Sequence, residues 1–123
     1  MKSERFEKGT EMLEKLTGGE SDHVIENIMS FAPDFGKMII EFGFGEIYGR
    51  ETFDVKQRSI ITLTSLISQG AGERQLTFHF KAGLHAGLTK EEIIEIIIHC
   101  AGYAGFPKAA NALEIFKTIV EAK

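Results

Sequence analysis

Two histidines, a tyrosine and the glycines near them are the residues of this sequence whose spacing could support chemistry. Glu95, His99 and Tyr103 recur every four residues, so a helix would place them on one stripe. Imidazole and phenol groups can exchange protons with a reacting molecule. Gly102 and Gly105 flank them, and glycine lets a ligand or another backbone approach closely. Close packing of helices accounts for these glycines equally well. A solvent-exposed helix face accounts for Glu95, and less readily for His99 and Tyr103, which the glycines flank.

His79 belongs to the preceding predicted helix and is followed one turn later by the small residues Ala82 and Gly83. These leave space beside its imidazole ring. An isolated histidine is usually structural or exposed, so a reactive role for His79 requires that it meets His99 in space. Cys100 lies on the apolar side of the helix that carries His99, and we predict a buried, structural thiol there.

Charged residues near a glycine-rich segment provide further candidates. Glu46 and Arg50 lie in and just after residues 43–49, which we interpret as a loop or a helix end. Both side chains could point into a cleft or into water. Arg58 could anchor a carboxylate, because a guanidinium donates paired hydrogen bonds that match it. A surface ion pair with Asp54, four residues earlier, is the alternative.

Composition and charge restrict the class of protein. The chain of 123 residues fits a single domain over residues 1–123. Its net charge of -4, without a basic run, argues against nucleic-acid binding. One cysteine excludes an internal disulfide and favours a cytoplasmic protein, and the charged N-terminus does not resemble a signal peptide. The apolar runs are too short to span a membrane, and no zinc, dinucleotide or phosphate-loop motif is present, so we expect no membrane association, metal or cofactor.

Helical periodicity predicts an all-α fold of six or seven short helices. Gly18 and Gly19 should end the first helix, Asp22 should cap the second, and Pro33 should open the third. The apolar side of the third helix is predicted to contain Phe35, Met38, Ile39, Phe42 and Ile47.

The second half of the chain has clearer helix boundaries. Asp54 is a good N-cap for the helix that follows it, and Gly87 should close the helix of His79. Thr89 and Glu92 form a capping box at the start of the next helix. Pro107 suits the first turn of the last helix.

The helix that begins after Thr89 is apolar around most of its circumference, because isoleucines occupy five positions between residues 93 and 98. Such a helix must be buried on most sides. A domain of this size has little room for a fully central helix, so we predict that part of it forms a subunit interface.

Residues 43 to about 116 resemble the carboxymuconolactone decarboxylase family. The most specific motif residues are His79, Gly87, Glu91-Glu92-Ile93, His99, Tyr103-x-Gly105-Phe106-Pro107 and Asn111-Ala112. The resemblance implies an all-α fold shared with alkylhydroperoxidase D and assembly as a homotrimer or homohexamer. The isoleucine-rich helix would then be buried between subunits.

The resemblance also separates two branches of chemistry. In the peroxidase branch, a C-x-x-C pair precedes a proton-relay histidine, and the motif places that histidine at His79. The two cysteine positions then fall on Gly72 and Gln75. Because closing a disulfide needs two thiols, thiol peroxidase chemistry is disfavoured.

The remaining branch is the decarboxylase branch, whose named reaction converts 4-carboxymuconolactone to the 3-oxoadipate enol-lactone and CO₂. The resemblance therefore implies a cofactorless carboxy-lyase on that compound or a related small carboxylated lactone or acid from the breakdown of aromatic compounds. The alternatives are a family paralogue of another small-molecule activity, such as a hydrolase or isomerase, and a non-catalytic binding oligomer.

Decarboxylation requires a group that orients the carboxylate, a donor to the enolate oxygen and a source of the returning proton. The candidates are Arg50 or Arg58 for the first role, His99 or Tyr103 for the second and His79 or Glu46 for the third, with Gly102 and Gly105 beside the bound substrate.

Overall fold

The computed structural model describes residues 3–19 and 23–122, and regular structure in these residues is entirely helical, as predicted. The helices are α1 (Glu4–Thr17), α2 (His23–Phe31), α3 (Pro33–Met38) continued by a π-helix (Ile39–Ile47), α4 (Val55–Gln69), α5 (Glu73–His85), α6 (Lys90–Ala104) and α7 (Phe106–Glu121). The chain divides into two compact units, Met1–Asp54 and Val55–Lys123. Across the described residues, every helix is too short or too polar to cross a membrane.

In the first unit, α1 packs directly against the π-helix through glycines. A Cβ atom on Gly9 would overlap the backbone carbonyl of Ile40, and one on Gly45 would lie 2.6 Å from the carbonyl oxygen of Arg5. Ser3 caps α1 by accepting a 3.0 Å hydrogen bond from the backbone N–H of Phe6. The two helices therefore meet backbone to backbone, and only glycine permits this separation.

The predicted boundaries in this unit are confirmed in part. Gly18 ends α1 and Pro33 opens α3, whereas the cap predicted at Asp22 lies outside the described residues. Residues 43–49 form a helix end, the second of the two predicted alternatives, because the π-helix continues to Ile47 and stops there. Its wider turn is seen in the hydrogen bond from the backbone N–H of Tyr48 to the carbonyl of Gly43, five residues earlier.

The predicted apolar side of the third helix is wrong. Four of its five residues are exposed, namely Phe35, Met38, Phe42 and Ile47. The buried side consists of Gly36, Ile40, Phe44 and Gly45 instead. The glycines determine this choice, since their missing side chains allow Met29 and α1 to approach most closely on that side.

In the second unit, α4 to α7 enclose one apolar core. The largest fully buried side chains of this core are Leu63, Ile67, Leu76, Phe80, Ile93, Cys100 and Phe116. The rings of Phe80 on α5 and Phe116 on α7 lie 5.0 Å apart between centroids, a favourable distance for an aromatic pair. Each fully buried side chain of this size contributes about 1.5–3 kcal/mol of hydrophobic free energy.

The helix boundaries predicted for this unit are confirmed. α4 begins directly after Asp54, and Pro107 lies in the first turn of α7. Thr89 and Glu92 form both hydrogen bonds of the capping box, at 3.0 and 2.9 Å. Gly87 follows α5 with a φ of +108°, which favours glycine.

We predict opposite effects of adding a methyl group at two glycines of the first unit. Gly9→Ala should lower the free energy of unfolding by about 1–3 kcal/mol, because α1 and the π-helix must move apart. Gly43→Ala should be neutral or raise it by up to about 1 kcal/mol, since no heavy atom lies within 4 Å of the added Cβ. Urea denaturation followed by circular dichroism measures both variants. Equal stabilities for the two would contradict the close contact at Gly9.

Candidate functional site

α6 presents the predicted stripe of Glu95, His99 and Tyr103 on its exposed side. The opposite side is buried in the core, so the helical period carries these three residues outward. The rings of His99 and Tyr103 stack, with centroids 5.1 Å apart and planes inclined by 12°. Tyr103 is 87% exposed, which leaves its phenol accessible to a small molecule.

The two glycines beside this stacked pair, Gly102 and Gly105, occupy positions with different structural requirements. Gly105 joins α6 to α7 with a φ of +104°, a conformation that favours glycine whether or not a ligand binds. Gly102 lies within α6, and a Cβ there would have no heavy atom within 4 Å. Helix packing inside this chain therefore does not account for Gly102, which leaves an open surface next to Tyr103.

His79 lies at the edge of the buried face of α5. It shares a stripe with the buried Leu76 and Gly83, and its ring meets the ring of Phe78 edge to face at 4.9 Å. Burial disfavours the charged imidazolium and lowers the pKa of His79 to about 4. The imidazole is therefore uncharged at pH 7, with one nitrogen that donates a hydrogen bond and one that accepts.

The surroundings of α6 include a charged contact with α4. Lys56 lies 3.5 Å from Glu92, whose pKa is lowered mainly by the backbone N–H of Thr89 and also by Lys56. Arg58 lies one turn into α4 and is partly buried. Cys100 is 2% exposed, which confirms that the thiol is buried in the core.

In the first unit, Glu46 lies in the last turn of the π-helix and pairs with Arg5 of α1 at 2.6 Å. Both side chains are about half exposed, and Arg50 is exposed beyond the end of the π-helix. Arg5 was not identified from the sequence. No periodicity links residues this far apart in the chain, so only the packing of α1 reveals the pair.

A groove of about 490 Å³ lies between α5 and α7, on a different side of α5 from His79. Glu73, Lys81 and Glu114 line it together with Ile115 and Ile119. Its lining contains none of the side chains predicted to act in catalysis. Over residues 3–19 and 23–122, no three or more His, Cys, Asp or Glu side chains cluster in a way that could hold a metal ion.

The structure thus brings together some of the predicted residues. His99 stacks on Tyr103, and Glu46 is held by Arg5. His79 contacts Phe78 from its partly buried position. Its meeting with His99, on which a reactive role for His79 depends, stays a prediction. The catalytic and substrate-binding roles assigned to these residues stay predictions.

Comparison with known proteins establishes the family. The decarboxylase motifs lie on α5, α6 and α7 of an all-α fold, and residues 33–118 match the sequence profile of the carboxymuconolactone decarboxylase family. The chain belongs to this family. It is 32% identical over 121 residues to the 4-carboxymuconolactone decarboxylase of Acinetobacter baylyi, covering 94% of this chain and 90% of that protein.

Two further relatives show the range of the family. The nitrosuccinic acid decarboxylase of Metarhizium robertsii is 30% identical over 109 residues, which are 88% of this chain and 76% of that protein. An uncharacterized 15.0 kDa protein of Paracoccus denitrificans is 30% identical over 115 residues, which are 93% of this chain and 86% of that protein. Family membership and the names of the Acinetobacter and Metarhizium relatives support a role of the decarboxylase type.

We predict that the low pKa of His79 makes stability depend on pH. The unfolded chain binds a proton near the ordinary histidine pKa of 6.5, whereas the folded protein does so only near 4. The contribution of His79 to the free energy of unfolding is therefore complete above pH 6.5. It falls by at most about 3 kcal/mol as the pH falls to 4.

Urea denaturation across this pH range measures the effect, and NMR titration of the imidazole Cε1–H gives the pKa directly. His79→Gln cannot take up the proton, so its stability should vary less between pH 6.5 and 4. A ring signal of His79 that titrates near 6.5 in the folded protein would contradict the prediction.

Proposed function

We propose that this protein is a cofactorless decarboxylase acting on 4-carboxymuconolactone or a closely related small carboxylated lactone, in the breakdown of aromatic compounds. The observation that carries the proposal is the 32% identity to a 4-carboxymuconolactone decarboxylase along nearly the whole of both chains. The chemistry of the side chains on α5 and α6 agrees with it.

The two named relatives act on substrates with one chemical property in common. In 4-carboxymuconolactone, the electrons left by departing CO₂ flow toward an unsaturated lactone carbonyl. In nitrosuccinic acid, a nitro group is attached to the carbon next to a carboxyl group and can accept such electrons. We infer that this chain likewise acts on an acid whose carbanion is stabilised by a neighbouring acceptor group, so the protein need not supply an electron sink.

The uncharged imidazole of His79 suits one step of this reaction. When the bond between carbon and the carboxylate breaks, the electron pair moves to an enolate oxygen, and a proton later returns to carbon. A neutral imidazole can donate its N–H to that oxygen as charge develops, and in a water-poor place such a bond is strong. With a pKa of about 4, His79 carries no extra proton at pH 7. We therefore assign His79 hydrogen bonding to the enolate instead of the proton return predicted for it. Glu46, the other predicted proton source, is then left to return the proton to carbon.

His99 and Tyr103 offer a flat, stacked surface against which a planar lactone could lie. A partly buried Arg58 suits the substrate carboxylate, because a guanidinium binds a carboxylate in a fixed orientation. The open surface at Gly102 would let the ring of the substrate approach α6.

We further propose that the protein works as a homo-oligomer, a trimer or a hexamer. Ile98 on α6 is 56% exposed, and Tyr103 near the end of α6 and Phe106 at the start of α7 are exposed still further. Exposed aromatic and large apolar side chains are enriched at protein interfaces. Covering these side chains with a second copy of the chain would also remove water from the surroundings of His99.

Turnover of 4-carboxymuconolactone tests the reaction. We expect loss of the lactone absorbance with release of one CO₂ per molecule, and a fall in kcat of about 100-fold or more for His79→Ala and for His99→Ala. His85→Ala is the matched control, since His85 is an exposed histidine at the end of α5 whose ring contacts the backbone of Lys81. Equal rates for all three variants and the wild type, or no turnover by the wild type, would overturn the proposal.

Sedimentation velocity and light scattering test the assembly. We expect a particle of three or six times the 13.7 kDa chain mass. Ile98→Glu should lower that mass, because it places a charge in an apolar contact, whereas Ile98→Val should not. A wild-type particle of 13.7 kDa would show that the protein is a monomer.

A further inference from the structure

Arg5 of α1 forms an ion pair with Glu46, although α1 lies outside the part of the chain that matches the family profile. The match covers residues 33–118, whereas α1 spans Glu4–Thr17. Arg5 Nε lies 2.6 Å from Glu46 Oε1, so the guanidinium and the carboxylate are in direct contact as a charge-assisted pair. Glu46 is one of the two residues, with His79, that are predicted to return the proton during decarboxylation.

An exposed ion pair alone would be weak grounds for a role. Such pairs contribute little to stability, because water and salt weaken the attraction and two long side chains must be held in one geometry. Here the backbones that carry the two side chains are already fixed against each other. The carbonyl oxygen of Arg5 would lie 2.6 Å from a Cβ on Gly45, the residue next to Glu46. Gly9 and Ile40 make a similar contact further along the same two helices.

A second polar contact joins the same pair of helices, since the hydroxyl of Ser3 donates a hydrogen bond to Glu41. The π-helix that carries both glutamates is nine residues long. π-helical turns are rare, less favourable than α-helical ones and frequent at functional sites. α1 therefore fixes the backbone of the π-helix as well as the side chain of Glu46.

We propose that Arg5 is a positioning residue that holds the Glu46 carboxylate in the orientation it needs during catalysis. This inference rests on the proposed decarboxylase function. It assigns to α1, which lies outside the family match, a part in the reaction. Because a small misplacement of a catalytic group costs a large factor in rate, loss of Arg5 should act on kcat more than on KM.

A double-mutant cycle on turnover of 4-carboxymuconolactone tests the inference. Arg5→Ala should lower kcat about tenfold or more with little change in KM, and Arg5→Lys should restore most of it because lysine can still pair with Glu46. Lys8→Ala is the matched control, since Lys8 lies on the same helix and pairs with Glu4 at 3.8 Å. In the Glu46→Gln background, Arg5→Ala should cause no further loss. Circular dichroism and the melting temperature verify that each variant is folded.

The other outcomes separate a positioning role of Arg5 from a purely structural one. Equal factors for Arg5→Ala in both backgrounds would show that Arg5 acts through the fold and not through Glu46. Full activity of Glu46→Gln, or equal rates for Arg5→Ala and Lys8→Ala, would also overturn the positioning role and leave the decarboxylase function intact. If Glu46→Gln abolishes turnover, the double-mutant cycle cannot be completed, and the comparison of Arg5→Lys with Arg5→Ala decides. A kcat of Arg5→Lys as low as that of Arg5→Ala would then overturn the positioning role. Absence of turnover by the wild type would overturn both.

Discussion

Burial of one side of α6 is the constraint on which the arrangement of the reactive residues depends. Ile93, Ile97 and Cys100 enter the core of the second unit, so the helical period forces His99 and Tyr103 to the opposite side. The capping box at the start of α6 fixes where the helix begins and hence its phase. A change that rotated α6 would exchange core and reactive residues together, which couples the stability of this unit to its chemistry.

The same core accounts for the electrostatic state of His79. Its stripe on α5 includes Leu76 and Gly83, which lie in the core, so the ring is desolvated and stays uncharged at neutral pH. This histidine and His99 therefore belong to different environments, one partly buried and one exposed. Burial thus gives His79 a proton affinity that suits hydrogen bonding at neutral pH more than proton transfer.

The first unit is organised by glycine contacts, and these are where sequence patterns were least informative. Phe35, Met38 and Phe42 were predicted to be buried because they are large and apolar, yet they are exposed. Hydrophobic periodicity assumes an α-helical turn and takes the largest apolar side chains as the buried face. Here the helix widens to a π-helix, and small residues allow the closest approach, so the face with Gly36 and Gly45 is buried instead.

The sequence by itself determined the all-α class, the starts of α4, α6 and α7, the end of α5, the buried thiol of Cys100 and the family. Caps, helical periods and motif residues are local features of the chain. It also placed His99 and Tyr103 on one side of α6, since residues four apart must share a helix face. Only the tertiary structure decided the stacking of these two rings, the desolvation of His79 and the pair of Arg5 with Glu46. The reason is physical: proton affinity and ion pairing depend on what surrounds a side chain, and those surroundings come from distant parts of the sequence.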